Sequence, residues 1–134
     1  MAEVLPTSLE LRMPADPQLL RVLRLVGSGL ASLGQLDLEA TEEVRVAVDE
    51  LGAALIAMGD GSPIELTFDL TASALCVEGT TTLPAGAGPD VDPLTDRMLS
   101  VVATAHSWTA HDGRTTGRVE KALRHPSAER APSS

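Results

Sequence analysis

Residues 7–13 alternate apolar and polar, with Leu9, Leu11 and Met13 on one side; this predicts a half-buried strand that ends at Pro14. Asp16-Pro17 then reads as a helix start, because Asp caps free amides and Pro suits the first helical position. Leu19, Leu23, Val26, Leu30 and Leu33 follow at helical spacing and predict one apolar stripe, weakened by Gly27 and Gly29 and ended by Gly34. Asp37 is placed to cap a second helix with the stripe Val44, Val48, Leu51, Leu55 and Met58, closed by the turn cluster 59–63. Ile64, Leu66, Phe68 and Leu70 alternate as a strand, and Leu75 and Val77 suggest its hairpin partner across Thr71-Ala72-Ser73. From Gly79 to Asp92 periodicity fails, which predicts a mobile loop. Asp92-Pro93 repeats the cap, and Leu94, Met98, Val101 and Val102 predict a third helix. Residues 105–111 and 114–123 read as strands around Asp112-Gly113, a strong hairpin signal. The Pro- and Ser-rich segment 125–134 reads as a disordered tail, which leaves residues 1–124 as one domain.

The order strand, helix, helix, strand, strand, loop, helix, strand, strand, with helices amphipathic rather than apolar all round, predicts an α+β two-layer sandwich. About three helices would cover one face of a mixed, mainly antiparallel sheet. The core must be aliphatic, since Phe68 and Trp108 are the only aromatics of the 134 residues. Few aromatics and a formal charge of -9 argue against direct nucleic-acid binding. No apolar run approaches the ~20 residues that span a bilayer, and no segment has the form of a signal peptide, so a cytoplasmic protein is expected. Cys76 is the only cysteine and sits in an apolar run, as an inert core thiol does. His106, His111 and His125 lack metal-site spacing, and no metal ligands are assigned.

One stretch carries candidate chemistry. On the helix 42–51, Glu50 shares a strip with Ala47 and Ala54 beside the core stripe, while Asp49 points away. A carboxylate at such a seam can serve as a general base; periodicity alone favours a surface glutamate whose stem covers the seam.

The order of elements, the stretch Glu10-Leu11-Arg12-Met13-Pro14-Ala15-Asp16, the helix from Glu42 to Leu51 and the closing segment from Asp92 to Lys121 together resemble the anti-sigma-factor serine kinases. These belong to the GHKL superfamily of histidine-kinase-like ATPases. The resemblance runs from about Leu9 to Leu123. It implies a Bergerat-type sandwich, an ATP and Mg²⁺ site under a flexible lid, phosphorylation of a serine on a STAS-type anti-sigma antagonist, sequestration of a sigma factor, and a homodimer. Glu50 matches the family's activating glutamate. Four residues on, Ala54 stands where the family has a metal-binding asparagine, and a methyl group offers Mg²⁺ no oxygen. Glu78 and Gly79 lie near the place of the adenine-gripping Asp-x-Gly-x-Gly motif, without its aspartate. Gly86 and Gly88 are either remnants of a glycine-rich lid or plain loop residues. Asp92 and Asp96 replace the last glycine motif and would repel a phosphate. The expectation is a regulatory protein that binds a sigma factor, its antagonist or both by surface complementarity and carries a degenerate nucleotide site. The alternative is an active ATP-dependent serine kinase.

Overall fold

The structure, a computed structural model, describes residues 6–123; the expected tail at 125–134 lies outside them. Strand β1 (Thr7–Met13) leads through a 3-10 turn (Pro17–Leu19) into α1 (Leu20–Leu33). Then follow α2 (Leu38–Met58), β2 (Ile64–Leu70), β3 (Ala74–Thr82), α3 (Pro93–Val102), β4 (Ala105–His111) and β5 (Arg114–Ala122). The three aspartate caps form as their sequence predicts: the Asp16, Asp37 and Asp92 carboxylates accept from the amides of Gln18, Ala40 and Leu94 at 2.8–2.9 Å. Asp16, however, caps the 3-10 turn, and α1 proper starts only at Leu20. At the end of α1 the left-handed residue is Gln35 (φ 62°), not Gly34. Gly34 is needed for space instead: a Cβ there would stand 3.2 Å from Leu70 and 3.4 Å from Leu123.

The strands form one sheet in the order β1-β2-β3-β5-β4, and every neighbouring pair is antiparallel. The expected mixed sheet is therefore corrected. β3 and β4 do run in the same direction, since α3 carries the chain back between them, but β5 inserts between the two. The expected loop from Gly79 to Asp92 is also shorter: β3 continues to Thr82, and the loop spans 83–92. The β-branched threonines there pair with those of β5, Thr81 opposite Thr115 and Thr80 opposite Thr116, whose hydroxyls are 3.0 Å apart. Asp112 (φ 52°) and Gly113 (φ 75°) make the left-handed β4–β5 turn.

Ile64, Leu66, Phe68 and Leu70 point into the core, while Glu65 and Asp69 point outward, so the helices cover one face and the other is open. All five residues of the α2 stripe are buried. α2 lies between α1 and α3, over β3 and β5. Glycines set that approach. A Cβ at Gly79 would fall 2.4 Å from the Leu55 side chain, and one at Gly117 would fall 2.6 Å from Leu51. These two glycines face each other across β3 and β5 and make a trough for α2. Between the helices, Gly27 meets Val44 and Val48, and Gly52 meets Leu20 and Leu23. At the other end of α2, the Lys121 ammonium donates to Glu43 at 2.6 Å and to the Val102 carbonyl at 2.9 Å, clamping β5 to both α2 and α3.

α3 departs from its predicted face. Leu99 and Val102 are buried, whereas Leu94 and Val101 are exposed. Its sequence is apolar on more than one side, and only tertiary packing chooses which side turns inward.

Candidate functional site

Ala47, Glu50 and Ala54 share the flank of α2 that turns towards α3. The alanines are buried, and Glu50 is half-buried at the rim. The preceding Asp49 points to the opposite flank, 3.3 Å from the Arg24 guanidinium of α1. Among the described residues the Glu50 carboxylate makes no hydrogen bond or ion pair.

One turn beyond Glu50 the surroundings become apolar. Ala54 and Met58 form a small cluster with Leu83, joined by Val91 and Trp108. Leu83 and Val91 stand at the two ends of the 83–92 loop, so the loop puts an aliphatic side chain from each end onto Ala54 and Met58. Leu83 is held there by its amide, which donates to the Gly113 carbonyl at 2.8 Å. Trp108 closes the cluster from β4 and lies against Gly117, where a Cβ would fall 2.5 Å from its ring. The Trp108 Nε1 and the Thr81 hydroxyl are buried without a hydrogen-bond partner among the described residues, a cost the sheet carries at this end.

The remaining candidates do not converge on this place. Glu78 and Gly79 are successive strand residues and face opposite sides of the sheet. Gly79 is buried under Leu55, whereas Glu78 stands on the open face, 3.8 Å from Arg118. Gly86 (φ 79°) needs its left-handed conformation to turn the loop, and Gly88 sits in open space. Asp92 is a helix cap, and Asp96 accepts from or pairs with His106 Nε2 at 2.7 Å, tying α3 to β4. Asp60 stiffens the turn after α2. Its hydrogen bonds from the Ser62 hydroxyl and amide hold its carboxyl below the usual range.

Ala54 places a methyl group inside an apolar cluster, and the described residues hold no group of three His, Cys, Asp or Glu side chains suited to a metal. The cavity between α2 and the sheet, lined by Val44, Val48, Val77 and Val119 among others, has a volume of about 10 Å³, room for no more than a water.

Sequence reasoning missed the Trp108–Gly117 contact. The signal was present: a hairpin turning at Asp112-Gly113 sets Trp108 opposite Gly117, and a glycine inside a strand marks a close approach. It also missed the polar cluster on the open face. There Arg118 reaches the Cys76 sulfur at 3.1 Å and Glu120 at 3.2 Å. Burial pushes the Cys76 thiol up, and neighbouring Glu120 adds to this against the opposing pull of Arg118. Cys76 should therefore alkylate with iodoacetamide more slowly than free cysteine at pH 8, a pH chosen near the ordinary thiol range of about 8.5. Its pH–rate profile should be displaced to higher pH; a rate equal to that of free cysteine would contradict this environment.

No protein-family model matches the chain, and a search of curated proteins finds no match.

Proposed function

We propose that this chain is a regulatory binding module akin to the anti-sigma-factor serine kinases. It holds a sigma factor, its STAS-type antagonist or both by surface complementarity, without phosphoryl transfer. The observation that carries the reading is the apolar closure around Ala54. Met58, Leu83, Val91 and Trp108 take up the place on α2 where the resembling family sets its metal ligand, and phosphoryl transfer depends on a metal that neutralises the developing charge. The two-layer sandwich with three helices on one face is compatible with the histidine-kinase-like fold. The formal charge of -9 favours association with basic patches on a protein partner.

The unpaired, half-buried Glu50 favours a second reading, an active serine kinase that uses this carboxylate as its base. The two readings separate in one experiment. Binding of candidate sigma factors and STAS-domain antagonists is measured with and without Mg²⁺-ATP, for the wild type and for Glu50→Gln. The binding-module reading expects one dissociation constant across all four conditions and no phosphoserine on the antagonist. Phosphorylation that disappears in Glu50→Gln would establish the kinase, and failure of every candidate to bind would remove the sigma-factor connection.

A further inference from the structure

On α3 three large apolar side chains stay exposed: Leu94 at 59%, Met98 at 36% and Val101 at 73%. They recur at i, i+4 and i+7, so at 100° per residue they form one strip along the helix. The other residues of α3 fix where that strip looks. Leu99 and Val102 point down into the core. Asp96 reaches His106 of β4 and marks the β4 flank. The strip lies on the opposite flank, the one towards α2.

α2 borders this strip and runs the other way. Lys121 ties the Val102 carbonyl, at the end of α3, to Glu43 near the start of α2. Val91, just before α3, packs on Ala54 and Met58 near the end of α2. Midway between these two ties, Met98 falls level with Glu50, and Leu94 lies towards Ala57. Ala53 and Ala57, three and seven residues on from Glu50, are exposed and short enough to let another helix come close. The two helices therefore frame an apolar strip with a carboxylate at its middle. Glu50 is half-buried there, with no hydrogen bond or ion pair among the described residues. Exposed Asp90 and Asp92 add negative charge at the Leu94 end, while Arg97 stands on the outer crest of α3.

These features select an occupant. Apolar residues at helical spacing along a helix flank are matched by an amphipathic helix laid beside them. Covering Glu50 without a cation would leave a desolvated charge, so the incoming helix must bring Lys or Arg to it. Arg97 sets the sense, turning the occupant's basic side to α2 and away from the crest of α3. The carboxylates oppose an anionic membrane surface in the same place.

We infer that the flank between α2 and α3 is a docking surface for an amphipathic helix of another protein, whose central Lys or Arg pairs with Glu50. This goes beyond the proposed function. The affinity for a sigma factor or its antagonist is expected to be indifferent to Glu50→Gln, so this is a separate contact that stands or falls by itself.

The test is titration of the full chain, followed by backbone-amide NMR, with an amphipathic helical peptide of about 15 leucine and lysine residues. The same peptide with glutamate in place of lysine is the control, and circular dichroism confirms that each variant folds. The lysine peptide should bind saturably and shift the amides of Ala53, Ala57, Leu94, Met98 and Val101; the glutamate peptide should not. Glu50→Gln and the double variant Leu94→Ser/Val101→Ser should each weaken binding roughly fivefold or more. Asp69→Asn removes an exposed carboxylate from the open face of the sheet and should leave binding unchanged. The inference is overturned if the lysine peptide does not bind, or if Asp69→Asn weakens it as much as Glu50→Gln, which would mean diffuse attraction to an acidic chain. Affinity unchanged in Leu94→Ser/Val101→Ser would also overturn it. So would strip shifts that grow with protein concentration alone, since a second copy would then be the occupant.

Discussion

Replacing Phe68 by alanine should lower the unfolding free energy by about 3–5 kcal/mol. Phe68 is fully buried at the middle of β2, between Leu9 of β1 and Val77 of β3 in the register. Hydrogen bonds on both sides hold the β2 backbone, so the sheet cannot close over the space left by the ring. A core that is otherwise aliphatic offers no other aromatic side chain there to fill it. For a domain whose whole stability is about 5–15 kcal/mol, the loss is a large fraction. Urea titration should show a lower midpoint with an unchanged slope. A loss under about 1 kcal/mol would mean that the core collapses around the site and that the packing described is wrong.

Gly117→Ala, which adds only a methyl group, should also be damaging. The new Cβ would meet the Trp108 ring at 2.5 Å and Leu51 at 2.6 Å. Leu51 is fully buried in the centre of α2 and has little room to retreat. The indole must lift or the helix must move away from the sheet, at a cost of about 1–3 kcal/mol. Trp108 is the only tryptophan and there is no tyrosine, so the protein's fluorescence reports this contact alone. The emission of Gly117→Ala should shift to the red as the ring gains water. Unchanged emission with unchanged stability would contradict the contact between Trp108 and Gly117.

Where local chemistry decides, the sequence was enough. The aspartate caps at 16, 37 and 92, the α2 stripe and the Asp112-Gly113 turn depend on residues within a few positions of each other. What depends on distant residues was not legible. The length of β3 rests on threonines of β5, and α3 turns Leu99 inward because of what α2 and β4 present. The antiparallel character of the whole sheet follows from β5 entering between β3 and β4. The candidate site divides in the same way. That Glu50 and Ala54 share one flank of α2 followed from helical periodicity. That Glu78 stands on the far face of the sheet follows from alternation with Leu75 and Val77, but nothing local shows that Gly79 continues the strand and lies under Leu55. The closure of the Ala54 compartment by Leu83 and Val91 came from a loop whose sequence has no period to read.

Whether the Ala54 compartment is closed to nucleotide is tested most directly by a calorimetric titration of the protein with Mg²⁺-ATP, followed in parallel by Trp108 fluorescence and thermal unfolding. A nucleotide present at one hundred times its dissociation constant would stabilise the fold by ~2.7 kcal/mol, a readily measured shift. No saturable heat, no change in Trp108 emission and no thermal shift are expected at millimolar nucleotide. Saturable binding with a changed Trp108 signal would show that the 83–92 loop lifts to admit a nucleotide, and that this chain is a kinase or an ATP-gated switch.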